Sequence, residues 1–272
     1  MDSTIKFDGL ANLYEDGRPE YPTILIEKLY TDYGFKSTSI IADIGAGTGK
    51  FSKLLLEQGS KVFCVEPNKD MRNELVNKLN KYNKLHAING TAGNTTLDTS
   101  SVDFITSAQA FHWFNVHEFK RECKRILKLE GRVALVWNVR EMESPLNQEC
   151  FQIYKQYCQN FVGFNGGIKR DDERIKEFFD MHYKRMEFPN PLFFDQKSFI
   201  KRCISGSYSL KKTDQNYFEY IAALENVFDK YSNNGQLVME NKTVVYIGRC
   251  SSMSMRNTFI ALPLVKGAYM II

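Results

Sequence analysis

The sequence predicts an α/β fold, a doubly wound, seven-stranded, mostly parallel sheet with helical cap elements. Three observations lead there. The first half alternates short continuous apolar runs with segments whose apolar residues recur at helical spacing. Strands buried on both faces read as continuous runs, and strand–helix alternation is the order of a parallel sheet covered by helices. A cluster of glycines follows the first run, where the chain must turn from strand into helix. A late run, Thr243–Gly248 (TVVYIG), supplies a last strand, expected to be antiparallel.

The expected strands are Ser39–Gly45, Lys61–Glu66, Leu85–Asn89, Val102–Ser107 and Arg132–Trp137. Helical stripes lie between them. Phe51, Leu54 and Leu55 share a face, with Gly59 placed to end the helix. Met71, Leu75 and Leu79 recur every four residues after Asn68, an N-cap residue type. Phe119, Cys123, Ile126 and Leu127 follow Asn115, with Glu118 three residues on as in a capping box.

Beyond Trp137 the rhythm changes. Ser144-Pro145 opens a helix whose inner face is Leu146, Cys150, Ile153, Tyr157 and Phe161. After the glycine-rich stretch Gly163–Gly167 come a helical piece near Asp171–Asp180 and an extended piece near Tyr183–Phe188. A second long helix is expected from Thr213, with Tyr217, Tyr220, Ile221, Leu224, Phe228 and Tyr231 inward and Asn233-Asn234-Gly235 stopping it. One domain is expected over 1–272. Residues 1–38 form an N-terminal lid and helix, 39–140 the core, 141–235 cap helices and later sheet elements, 236–250 the last strand, and 251–272 a tail of open role.

Composition narrows the partners. The net charge is +4, with no clustered basic stripe, so a nucleic-acid partner is not expected. The start lacks the basic-then-apolar order of a secretory signal, and no apolar run reaches the ~18 residues of a membrane span. The six cysteines form no CxxC pair and read as buried, reduced thiols, which places the chain in the cytoplasm. Four histidines, without HExxH or a Cys/His cluster, give no metal site. The oligomeric state is open.

The chemistry concentrates at Asp43-Ile44-Gly45-Ala46-Gly47-Thr48-Gly49. Gly45, Gly47 and Gly49 withhold side chains at the turn, so a bulky ligand could lie against the main chain and meet exposed N–H groups. A plain tight turn is the alternative. The dinucleotide fingerprint needs glycine where this chain has Lys50. Asp43 favours an ammonium group and disfavours a pyrophosphate. Glu66 ends the second strand, where a carboxylate can accept hydrogen bonds from a ribose diol. An amine, a ribose and a base without phosphate is the outline of S-adenosylmethionine.

These residues resemble the class I S-adenosylmethionine-dependent methyltransferases, of small-molecule type. Asp43–Gly49 is similar to the family's first motif. Val65-Glu66-Pro67-Asn68 with Met71 is similar to its second. The resemblance implies a Rossmann-like sheet. It also implies a cofactor site of Asp43, Gly45, Ala46, Gly47, Gly49, Glu66, Pro67, Met71, Thr91, Ala92, Gln109, Ala110 and Phe111. Where the family commonly has Ala-Glu after strand 3, this chain has Ala92-Gly93. The leading segment, with Tyr14, Arg18, Tyr21 and Pro22, is similar to that of the subgroup including trans-aconitate methyltransferase, where it closes over the cofactor. Tyr14 and Arg18 are thereby cofactor candidates. Tyr21, His112 and Trp113 are substrate candidates.

The implied reaction is methyl transfer to a small molecule, with O-methylation of a carboxylate favoured. A positioned donor needs chiefly alignment, and an acceptor already ionised needs no base. His112 is the weak base candidate; its alternative is a place in the pocket wall. A non-catalytic module that binds the cofactor or a metabolite is the second reading. An NAD-dependent oxidoreductase and an RNA methyltransferase rank below.

Overall fold

The computed structural model describes residues 19–164, 172–206 and 208–250. Tyr14, Arg18, the leading lid segment and the tail 251–272 lie outside them. Helix α1 (Thr23–Asp32) leads into β1 (Ile40–Ile44), α2 (Lys50–Glu57), β2 (Lys61–Val65), α3 (Lys69–Leu79) and β3 (Leu85–Ile88). Then come β4 (Val102–Ala108), a 3-10 turn (Phe111–Trp113), α4 (Val116–Ile126), β5 (Leu127–Arg140) and α5 (Pro145–Tyr157). The last part holds α6 (Glu173–Phe178), β6 (Tyr183–Pro189), β7 (Leu192–Phe194), α7 (Gln196–Ile204), α8 (Tyr217–Tyr231), β8 (Leu237–Met239) and β9 (Asn241–Gly248).

Seven strands form one sheet in the order β3-β2-β1-β4-β5-β9-β6. β1 to β5 pair in parallel, and β9 runs antiparallel between β5 and β6. The order turns back between β1 and β4. A crevice opens at such a switch point outside the carboxyl ends of the strands.

Both faces are covered, as the continuous apolar runs require. On one, Leu25 and Leu29 of α1, Phe51 and Leu55 of α2 and Leu75 and Leu79 of α3 pack on Ile41, Ala134 and Val136. On the other, Phe119 and Ile126 of α4 and Ile175 and Phe178 of α6 pack on Ala42, Leu135 and Trp137. Each such side chain, fully buried, contributes about 1.5–3 kcal/mol. The helix ends follow the sequence. Asn68 accepts from the Met71 N–H at 2.9 Å, Asn115 from that of Glu118 at 3.2 Å, and Gly59 takes φ +83°.

Three element boundaries and one hairpin differ from the sequence expectation. β5 begins at Leu127, not Arg132, so Leu127 opens a strand instead of completing a helical stripe. Its pairing with β4 shifts register between Val102 and Phe104, an irregularity that hides the early part from a periodicity count. α8 begins at Tyr217, not Thr213, because Asn216 before it sits at φ +64°. β9 starts at Asn241. The hairpin of β7 and β8 was not anticipated, each strand being three residues long.

The chain leaves the sheet at Arg140, re-enters it at its edge for β6, and returns at Asn241, the register partner of Arg140 on β9. Between them, Leu146, Cys150 and Tyr154 of α5, Phe199 of α7 and Tyr220 and Leu224 of α8 form a separate core with Leu237 and Met239. The inner stripe of α8 is thus structural. All six cysteines are buried and free. No helix among the described residues is long and apolar enough to cross a membrane.

Candidate active site

A cavity of about 400 Å³ lies at the carboxyl ends of β1, β2, β4 and β5, within the size range of small-ligand pockets. Asp43, near the end of β1, is 1% exposed and lines it. Thr106, its register partner on β4, donates to Oδ1 at 2.7 Å, and Ser52 of α2 donates to Oδ2 at 2.5 Å. Burial still dominates these hydrogen bonds and pushes the carboxyl from 3.8 up to about 6.

Glu66 follows β2 and faces the same cavity. Its Oε2 accepts from the Gly47 N–H and its Oε1 from the Asn68 N–H, both at 2.9 Å. Each carboxylate oxygen keeps a lone pair beyond the backbone donor it serves. Burial raises this carboxyl as well, against the pull of the two N–H groups.

The glycine loop serves a different purpose from the one its sequence suggested. The N–H groups of Gly45 and Ala46 donate to the Val65 carbonyl, that of Gly47 to Glu66, and that of Gly49 to the Ala46 carbonyl. These donors are spent inside the protein, so they do not form the expected cradle of exposed N–H groups. The three glycines also divide their roles. A Cβ on Gly45 would stand 2.5 Å from Ala110 Cβ, and one on Gly49 would stand 2.6 Å from Leu79 Cδ1. A Cβ on Gly47 would meet nothing within 4 Å. Gly45 and Gly49 are packing glycines, and Gly47 is the bare wall of the cavity. All three have positive φ, which favours glycine.

The other candidates sort clearly. Ala46, Pro67, Met71, Thr91, Ala92, Gln109, Ala110, Tyr21 and Trp113 line the cavity with Asp43, Gly45, Gly47 and Glu66. Gly49, Phe111 and His112 do not line it. Gly49 is turned against α3. Phe111 is 1% exposed and packs on Phe119, Trp137 and Phe178, because the 3-10 turn rotates it into the core. His112 packs against the Trp113 ring at 4.8 Å, and Trp113, 42% exposed, is the one facing the cavity. Gln109 holds φ +57°, an uncommon backbone for a non-glycine residue, fixed by its N–H to the Val136 carbonyl and its Nε2 to the Asn138 carbonyl at 3.0 Å.

Several lining residues escaped the sequence reading. Asn138 donates to the carbonyls of Pro19 and Glu20, both at 3.2 Å, tying the start of the described chain to the rim. A polar residue ending the apolar run VALVW was its only signal. Lys50 reaches Glu20 at 3.4 Å. Glu118 of α4 lines the wall with its Oε2 3.2 Å from where a Gly93 Cβ would be, so an acid stands beside the position at which the sequence lacks one. Nothing local announced it, since Glu118 first reads as a capping residue. Among the described residues no cluster of metal-ligating side chains occurs.

Comparison with known proteins agrees with this geometry. A methyltransferase domain family matches residues 42–135. An uncharacterized methyltransferase of Schizosaccharomyces pombe is 30% identical over 187 residues, 68% of this chain and 70% of that one. An uncharacterized methyltransferase of Mycobacterium tuberculosis is 31% identical over 215 residues, 79% of this chain and 82% of that one. In fold, the chain is similar to a solved structure from Anaeromyxobacter dehalogenans named as a type II methyltransferase, at TM-score 0.63 and 16% identity, covering 86% of this chain and 98% of that one. The chain belongs to the class I S-adenosylmethionine-dependent methyltransferases.

Proposed function

We propose that the enzyme transfers a methyl group to an oxygen of a small acidic molecule and that the switch-point cavity holds the cofactor. One observation carries this reading. Asp43 and Glu66, at the tips of neighbouring strands, face one cavity beside a side-chain-free Gly47, and the N–H groups of Gly45, Ala46, Gly47 and Gly49 are all bonded within the protein. A phosphate would find no donor in those groups and two carboxylates against it. A nucleoside bearing a positive sulfur and an ammonium meets complementary charge.

In this reading the free lone pairs of Glu66 take the ribose hydroxyls, Gly47 admits the nucleoside against bare backbone, and Pro67, Met71, Thr91 and Ala92 flank the base. Asp43 balances the cationic end. Gln109 and Ala110 set the wall at the transfer face, with Tyr21 and Trp113 toward the acceptor. The bound cofactor supplies a methyl group already activated by its sulfonium. The protein's own task is alignment and exclusion of water, which can supply about 7–11 kcal/mol of barrier reduction.

Among the lining residues there is no histidine, and both oxygens of Asp43 already accept hydroxyl hydrogens. An acceptor ionised beforehand, a carboxylate, needs no base. The test is calorimetric titration with S-adenosylhomocysteine and with NAD. A product-coupled screen with S-adenosylmethionine over carboxylic acids, phenols, amines and tRNA accompanies it. Binding of NAD and not of S-adenosylhomocysteine would overturn the cofactor site. Turnover confined to amines or tRNA would overturn the acceptor class.

A further inference from the structure

Arg140 closes β5 two residues beyond Asn138, which lines the cavity. Residues two apart on a strand leave the same face, roughly 7 Å from one another. Arg140 is 6% exposed and does not itself line the cavity. Its guanidinium carbon lies 4.1 Å from the centre of the Phe164 ring and 5.8 Å from that of Tyr154. It forms no ion pair with any described acid, and its Nη1 has no hydrogen-bond partner among the described residues. A cation removed from water without a counter-charge is among the costliest arrangements in a fold.

A second orphan donor stands beside it. Asn241 is the register partner of Arg140 on β9, and opposed residues of an antiparallel pair share a face. Asn241 is 8% exposed, and its Nδ2 also lacks a partner among the described residues. Both groups are donors, and the phenol of Tyr154 beside them is turned to the Cys203 carbonyl, to which it donates at 3.1 Å. What would complete the group is an anion of single charge with two oxygens. A carboxylate matches the guanidinium fork and its one charge, whereas a phosphate dianion would leave a charge uncompensated among aromatic rings.

We propose that Arg140 and Asn241 anchor a carboxylate of the methyl acceptor. This rests on the methyltransferase reading of the adjoining cavity. Because Arg140 stands beyond that cavity, the anchored carboxylate is not the group that takes the methyl. The acceptor is then an acid whose reacting oxygen sits on a second group, close enough to span from Arg140 past Asn138. The titratable groups facing the guanidinium are the Tyr154 and Tyr208 phenols and the Cys150 and Cys203 thiols. A thiolate of the Cys150 and Cys203 pair is the rival counter-ion, since the Arg140 charge acts on both thiols from within the same core and Cys150 also hydrogen-bonds the Arg140 side chain.

The test uses the full chain, with and without saturating S-adenosylhomocysteine. It is titrated with benzoate, octanoate and their amides. At least one of the two acids should bind, its amide at least tenfold more weakly. Arg140→Met should lose acid binding at least tenfold and keep S-adenosylhomocysteine affinity within twofold. Without ligand it should melt no lower than the parent, because an unpaired buried cation has been replaced by an apolar chain of similar length. Cys203→Ser should leave acid binding unchanged. The proposal fails if neither acid binds, if acid and amide bind alike, or if Arg140→Met retains the acid. It also fails if Arg140→Met melts well below the parent, which makes the arginine a structural cation. Weakened S-adenosylhomocysteine with unchanged acid binding would assign Arg140 to the cofactor's own carboxylate. Titration without S-adenosylhomocysteine reads the anchor by itself, so failure of the cofactor site is separable from failure of the anchor.

Discussion

Replacing Asp43 by asparagine should stabilise the ligand-free protein while loosening its hold on the cofactor. The carboxyl is 1% exposed, and burial outweighs the hydroxyls of Ser52 and Thr106, so its pKa rises from 3.8 to about 6. A shift of about 2 units corresponds to roughly 3 kcal/mol by which ionised Asp43 destabilises the fold. The native state binds this proton at higher pH than the unfolded chain. Stability therefore falls as pH rises from about 4 to about 6, and the penalty is complete above that window. Asparagine carries no charge, and the two hydroxyls can turn to donate to its Oδ1 and accept from its Nδ2. For a domain of this size, 1 kcal/mol moves the melting temperature by about 2–4 °C. At pH 7.5 Asp43→Asn should melt up to roughly 10 °C higher than the parent, and the gap should close near pH 4. Calorimetric scans of both proteins from pH 4 to 7.5 measure it, and S-adenosylhomocysteine titration at pH 7.5 should show weaker binding by the variant. A variant that melts below the parent at pH 7.5, or a gap constant across the range, would refute the argument that a charge is kept buried here for its ligand.

Glu66→Gln takes the charge from the hydrogen bonds assigned to the ribose hydroxyls, a loss of about 1–3 kcal/mol in binding, and also sets an amide NH₂ against one of the two backbone N–H groups Glu66 now satisfies, which lowers stability. The S-adenosylhomocysteine dissociation constant should rise about 5–150-fold; a change under twofold removes Glu66 from the site. Gly47→Ala and Gly49→Ala should fail differently. Both force alanine to positive φ, at about 1–2 kcal/mol. Only Gly49→Ala adds overpacking, against Leu79, of about 1–3 kcal/mol. Gly49→Ala should chiefly lower the melting temperature, and Gly47→Ala chiefly the affinity for S-adenosylhomocysteine; matching profiles would contradict the division. His112→Ala should leave the pH profile of kcat unchanged between pH 5.5 and 8 with any acid the screen finds, since His112 does not line the cavity. Trp113→Ala, at an exposed position, should change stability by under about 0.5 kcal/mol and raise the acceptor KM in the same assay.

The sequence by itself determined the sheet and the sign of the charge around its first turn. Buried parallel strands demand continuous apolar runs, and β1, β2 and β4 carry them nearly to the residue. A turn that leaves a strand for a helix demands glycine where φ is positive, so Gly45, Gly47 and Gly49 were visible, as were the acids Asp43 and Glu66 at fixed strand ends. Which glycine faces a ligand was not visible, because it depends on Ala110 and Leu79, brought there from other elements. The same holds for the fate of the loop N–H groups, spent on Val65 and on Glu66 across the sheet. Phe111 and His112 looked like site residues by position, and the rotation of a single 3-10 turn sent Phe111 into the core and left Trp113 at the cavity. Arg140 and Asn241 carry no local pattern, Glu118 shows only as a capping residue, and Asn138 only as a polar end to an apolar run. Their chemistry comes from pairing across strands and from what packs against them, and long-range contacts of that kind leave no period in the chain that makes them.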